Sequence, residues 1–220
     1  MENKVTTILF DKKITHDEIG AFRGAILTLL PDDPLLHNHG EESILYRYPK
    51  VQYKTCNGKA CIIGMNEGAD ILERELHMGD VLTLRIGRHL CRFTITDKTT
   101  TYFNPGNSRA EGYDYKITDW LPLNQENHIA YTQMKRLHDR IGLLDRILTA
   151  SILRLLQGFN HFIDYRCEAF ITDIISSEVI KYKGVEMLAF NITIHTNIRL
   201  PENFGLGKGS SRGHGIITEI

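Results

Sequence analysis

Apolar and polar positions along this chain switch repeatedly between a two-residue and a 3.6-residue period. Lys4 to Phe10 reads as a first strand. Thr15 then stands as an N-cap with Glu18 three residues on, the spacing of a capping box. Ile19, Phe22, Ala25, Ile26, Leu29 and Leu30 follow at helical spacing until Pro31 and Pro34 stop them. Ile44 to Tyr48 and Val51 to Cys56 alternate as strands. Asn57-Gly58 is a hairpin turn that returns the chain through Lys59 to Met65. Glu67 to His77 predicts a short helix ended by Gly79, and Val81–Ile86 with Leu90–Thr96 predicts a second hairpin around Gly87-Arg88.

Asn104-Pro105-Gly106-Asn107-Ser108 reads as a loop between halves, and the second half repeats the theme. Tyr113 to Leu121 predicts a strand. Leu137 to Phe159 carries the longest helical pattern, with Ile141, Leu144, Ile147, Leu148, Ile152, Leu155 and Leu156 on one face. Tyr165–Ile175 and Val185–Thr196 predict two long strands, and a short apolar run from Ile216 predicts a last one. Where a second helix belongs, the chain has Asn203 to Gly213 instead. The order β-α-β-β-α-β, once in full and once with a loop for its second helix, is the split βαβ unit. The expected fold is therefore α+β, with tandem ferredoxin-like (βαββαβ) domains over 1–107 and 108–220, the second carrying a glycine-rich loop in place of its second helix.

Composition narrows the class. With 220 residues, 42% of them hydrophobic, the chain can bury a real core, and six prolines without low-complexity stretches leave little room for disorder. A net charge of −1 is unlike a general nucleic-acid coater, so any binding of nucleic acid has to be local. The four cysteines, Cys56, Cys61, Cys91 and Cys167, lack CxxC spacing and are expected to be reduced thiols, mostly in strands, of a cytoplasmic protein. Neither an apolar signal core nor a membrane-length apolar stretch is expected.

Two clusters carry candidate chemistry. Gly205-Leu206-Gly207-Lys208-Gly209-Ser210-Ser211-Arg212-Gly213-His214-Gly215 places five glycines in eleven positions, with two cations and two hydroxyls between them. Glycine admits positive φ and close backbone approach, and successive amides in such a loop can cradle an anion. A dinucleotide fingerprint needs a long helix after the glycines, and a phosphate-binding Walker loop needs Gly-Lys-Ser/Thr opening a helix; neither fits here. The second cluster is His37 and His39, in a loop expected between a helix and a strand; they share a face if that piece is extended, and such a pair can supply a base and an acid. A pair of surface histidines, or a weak metal site with Glu41 or Glu42, are the alternatives. Tyr46, Arg47, Tyr48 and Lys50 follow closely and offer hydroxyl and cationic groups to a phosphate, or are ordinary strand residues.

Together these features resemble the CRISPR-associated endoribonucleases that cut precursor CRISPR RNA within each repeat, members of the repeat-associated RNA-binding superfamily. Their C-terminal signature, Gly-apolar-Gly, five residues including a cation, then Gly-apolar-Gly, is matched by Gly205-Leu206-Gly207, Lys208 to Arg212 and Gly213-His214-Gly215. His214 stands where an apolar or aromatic residue is usual. Leu200-Pro201 and Phe204 fit the approach to the loop. His37 and His39 fall where some branches carry a histidine pair after the first helix, and Tyr46 matches a strand tyrosine. The resemblance implies metal-independent cleavage by the 2′-hydroxyl, with no cofactor. His37, His39 and Tyr46 are then catalytic. Lys50, Gly205, Gly207, Lys208, Ser210, Ser211, Arg212, Gly213, His214 and Gly215 are the expected RNA contacts. The expected partner is CRISPR precursor RNA, with effector-complex subunits and a homodimer as further options and no membrane. A non-catalytic RNA-binding subunit of the same superfamily is the rival reading, and a small-molecule phosphate or nucleotide regulator a third.

Overall fold

The computed structural model describes residues 2–30, 36, 48–106 and 109–220. The chain divides into two compact units: Met1–Asn104 with Ser211–Gly213, and Pro105–Ser210 with His214–Ile220.

In the first unit, β1 (Asn3–Lys13) leads through a 3-10 turn at His16–Glu18 into α1 (Ile19–Leu29). The Thr15 amide donates to the Glu18 carboxylate at 2.8 Å, so the capping residues read from the sequence do fix this helix entry. Then come β2 (Val51–Cys56), β3 (Lys59–Met65), α2 (Glu67–Glu75), β4 (Val81–Ile86) and β5 (His89–Phe103). They form an antiparallel sheet in the order β2-β3-β1-β5-β4. This is the ferredoxin-like order with β5 in the fourth place and β4 added as an edge strand. Asn57 and Gly58 have φ of 52° and 75°, the positive values that a two-residue hairpin turn of this kind requires.

Packing follows the pattern. Ile19, Phe22 and Ile26 of α1 are buried on a core with Phe10, Val51, Tyr53, Ala60, Ile62 and Phe93. Phe22 meets Phe10 edge-on at 5.3 Å and Tyr53 at 6.3 Å. Each such buried side chain contributes roughly 1.5–3 kcal/mol of transfer free energy. Leu29, read from the spacing as part of the apolar face, is 51% exposed, because the helix is in its last turn there. The helix ends as the Leu30 amide reaches Ile26 O; Pro31 and Pro34 lie outside the described residues. So do residues 44–47 of the expected strand ending at Tyr48, and Tyr48 itself is in no strand.

The second unit contains β6 (Tyr113–Trp120), α3 (Gln125–Gln133), α4 (Leu137–Gly158), β7 (Ala169–Tyr182), β8 (Val185–Thr196) and β9 (Ile216–Glu219). Its sheet runs β7-β8-β6-β9, again the ferredoxin-like order. Between β8 and β9 the only helical element is a 3-10 turn at Ser210–Arg212. Leu144, Leu148, Ile152, Leu155 and Leu156 of α4 are fully buried or nearly so. β1 runs three residues past the expected Phe10 and α2 stops two short of His77, and three other bounds move further. Residues 165–168 are not strand, β7 runs on past Ile175 to a turn at Lys183-Gly184, and β5 continues beyond Thr96 through a threonine-rich stretch to Phe103. All four cysteines are free thiols; Cys56, Cys61 and Cys91 lie in strands and Cys167 does not.

Candidate nucleic-acid interface

The glycine-rich segment is a knot tied by its own backbone. Leu206 N donates to Gly215 O at 2.8 Å, which brings the two Gly-x-Gly arms side by side. Gly205 bridges Ile216, and Gly207 bridges Leu121 just past β6. Lys208 N donates to Leu121 O at 3.2 Å and Gly215 N to Asp119 O at 3.1 Å, so both arms are hung on the end of β6. β6 is irregular there. Its register to β8 shifts between Ile117 and Trp120, and Asp119 takes φ of 54° with its amide held by Asn191 Oδ1 at 2.9 Å. That irregularity aims the carbonyl at the loop.

Close approach explains the glycines. A Cβ on Gly215, at φ +69°, would stand 2.0 Å from Leu206 O. One on Gly207, at φ +76°, would stand 2.9 Å from Trp120 Nε1. Trp120 is fully buried, and its indole N–H has no hydrogen-bond partner among the described residues. Leu206 and Phe204 are buried as well, Phe204 edge-on to Phe159 at 5.5 Å.

The side chains divide by exposure. His214 is buried and meets Tyr182 edge-on at 5.2 Å. The imidazole thus fills a ring position in the core of the loop, which is the physical reason a histidine can stand where an apolar or aromatic residue is usual. Ser210 is buried, while Ser211 and Arg212 are half-buried and Lys208 is exposed. Arg212 and Gly213 belong to the first unit, where Gly213 lies against Ile19. The amides of Leu206, Lys208, His214 and Gly215 are held by carbonyls of the chain.

The first-unit residues read from the sequence are placed unequally. His37, His39 and Tyr46 lie outside the described residues. Lys50 is described: its ammonium pairs with Glu67 at 3.0 Å, at the start of α2. Burial raises the Glu67 carboxyl pKa, but its own backbone amide and Lys50 outweigh that and hold it below the ordinary value. Among the described residues no group of three or more His, Cys, Asp or Glu is arranged to hold a metal ion. No described helix is long and apolar enough to cross a membrane.

Residues 1–101 match the Cas6b N-terminal domain and residues 107–220 match the Cas6b C-terminal domain. The chain belongs to the Cas6b family. An uncharacterized protein of Methanocaldococcus jannaschii is 25% identical over 104 residues, 47% of this chain and 69% of that protein. A crystal structure of Cas6b superposes with a TM-score of 0.88 at 23% identity, over 100% of both chains. That of a CRISPR RNA processing endoribonuclease Cas6b superposes with a TM-score of 0.75 at 21% identity, again over 100% of both chains. At these identities the likeness is one of fold. Within the Cas6b frame, the glycine knot lies in the C-terminal domain match and the histidine pair in the N-terminal one. Sequence reasoning missed the partners of the knot, Trp120, Asp119 and Tyr182. Nothing in the period of a strand marks a residue that will turn its carbonyl to a loop some ninety residues later.

Proposed function

We propose that this protein is a metal-independent endoribonuclease that cuts CRISPR precursor RNA within its repeats. The observation that carries this reading is the match of both halves of the chain to Cas6b domains. The histidine pair and the cation-bearing glycine loop in the sequence support it. In the reaction, the 2′-hydroxyl oxygen before the cut attacks the adjacent phosphorus. A new O–P bond closes a 2′,3′-cyclic phosphate while the bond to the 5′-oxygen breaks. One imidazole of His37 and His39 takes the 2′-hydroxyl proton and the other delivers a proton to the leaving 5′-oxygen, each step accelerating by roughly 10²–10⁴-fold. The Tyr46 hydroxyl donates to the charge that builds on the phosphorane. Lys208 and Arg212 each contribute about one phosphate contact to RNA binding.

The test is single-turnover cleavage of a labelled repeat RNA by the wild type, His37→Ala, His39→Ala and the double variant, with the dissociation constant measured for each. Unequal losses for the single variants, a double variant near background and little change in affinity are expected. Tyr46→Phe gives a smaller loss. A double variant that cuts at the wild-type rate removes the histidines from the chemistry and favours a non-catalytic RNA-binding subunit.

A further inference from the structure

Away from the glycine knot, one end of the second unit displays an unusual run of aromatic surface. Phe162 is 81% exposed, Tyr165 37% and Phe170 47%, three large rings within nine residues, with the exposed Arg166 among them. The run leads into β7, and its end is not slack. Asn197, just past β8, donates from Nδ2 to Arg166 O at 2.9 Å and accepts from Glu168 N at 2.9 Å through Oδ1. Thr196 Oγ1 adds a bond to Glu168 O at 2.7 Å.

Phe170 is thereby set directly across from His195 of β8, their rings 5.3 Å apart. On its other side His195 faces Asp114 of β6, whose carboxylate accepts from Nδ1 at 2.8 Å. A carboxylate partner fixes the proton on Nδ1 and leaves Nε2 to a second partner. The ring lies close over Gly112, at φ +76°, where a Cβ would be 2.7 Å from Nε2. Next along the same sheet face come the paired hydroxyls of Thr172 and Thr193 at 2.8 Å and the exposed Lys116, in register with Thr193.

We propose that this ledge, centred on Phe170 and His195, is a stacking platform for unpaired bases of the RNA, separate from the glycine knot. The proposal rests on the reading of the chain as an RNA-processing enzyme. Ordered, exposed rings on a pleated surface bind single strands because every base has a π-face, and hydroxyl and imidazole groups beside them can meet base edges and the 2′-hydroxyl. Rings already held in place lose little entropy on binding. Asp114, Asp164 and Glu168 lie near the rings in sequence or in space and are exposed as well, so attraction of phosphates is not the source of this binding. That gives the ledge a signature: losing a stacking ring weakens binding by the same factor at every salt concentration, whereas losing a phosphate contact lowers the salt slope.

The test uses the full chain and repeat RNAs carrying 2-aminopurine at successive unpaired positions. Wild type, Phe170→Leu and Phe170→Tyr are compared in affinity at several salt concentrations, with melting temperature as the check on folding. Phe170→Leu is expected to weaken binding roughly ten-fold, with an unchanged salt slope. It should also abolish the fluorescence quench at one reporter position, and Phe170→Tyr should restore both. If the wild type binds and cuts while Phe170→Leu binds equally well, the platform is overturned, the processing function stands, and this face is left to a protein partner. A reduced salt slope in Phe170→Leu also overturns the stacking role. If the wild type binds no RNA at all, the processing function falls first and the platform with it.

Discussion

Lys54 shows how one residue can go against the rest of its surroundings. It is 1% exposed on β2, opposite Cys61 of β3 and two residues before Cys56, and its ammonium donates to Gln52 Oε1 at 2.9 Å. Burial pulls its pKa down to about 8, while the thiols of Cys61 and Cys56 beside it push the other way. An unfolded lysine titrates near 10.4. Between these values the unfolded chain holds a proton that the folded chain has released, so stability rises with pH through that window and levels off above it. Below about pH 8 both states are protonated and the folded state bears a cost on the order of 3 kcal/mol. Lys54→Met removes the charge and keeps much of the stem. Urea unfolding should find the variant more stable than wild type near pH 7, by about 1–3 kcal/mol after loss of the Gln52 bond. Its rise between pH 8 and 10 should be flattened. A variant less stable than wild type at pH 7 would mean that the hydrogen bonding of Lys54 outweighs its burial.

At the scale of elements, legibility tracked how strongly a segment is forced by its own sequence. The β2–β3 hairpin was readable to the residue, because Asn57-Gly58 admits few other turns and Val51 to Cys56 before it alternates in sequence. α4 was readable because a long helix with one buried stripe repeats its signal many times. α3 was not read: none of its residues is buried, so it has no apolar stripe, and its single local mark is Asn124 accepting from Asn127 N at 2.7 Å. The far end of β5 was missed because Asp97 to Thr101 is polar, and its strand state comes from pairing with β1. The glycine segment was legible as a loop, but its bonding was not, since that depends on carbonyls contributed by the end of β6. Its cations give the prediction at this scale. Lys208→Ala and Arg212→Ala should each lower the slope of log affinity against log salt by roughly 0.7 for single-stranded RNA, and the double variant by about twice that. Isotherms at several salt concentrations decide it. A double variant with unchanged affinity and slope would show that the RNA does not use this loop.

For the molecule as a whole, a net charge of −1 and a chain that repeats one ferredoxin-like order in each half set the terms of the proposed RNA recognition. Such a protein has no long-range positive field to gather RNA, so its affinity has to come from local groups and its chemistry from groups brought to one phosphate. In the proposed reaction the histidine pair would supply proton transfer and the RNA itself the nucleophile, so that reaction needs no divalent ion. A decisive experiment follows from that division of labour. Repeat RNA is offered with and without excess EDTA, and again with a single 2′-deoxy nucleotide just before the cut. Cleavage should proceed at an unchanged rate in EDTA and leave a 5′-hydroxyl and a 2′,3′-cyclic phosphate. The deoxy substrate should bind within about two-fold of the normal RNA, because only one hydroxyl is lost, yet remain uncut. Loss of activity in EDTA that a divalent ion restores would replace the histidine mechanism with a metal-assisted one. Cutting of the deoxy substrate would show that the attacking oxygen comes from water and not from the RNA.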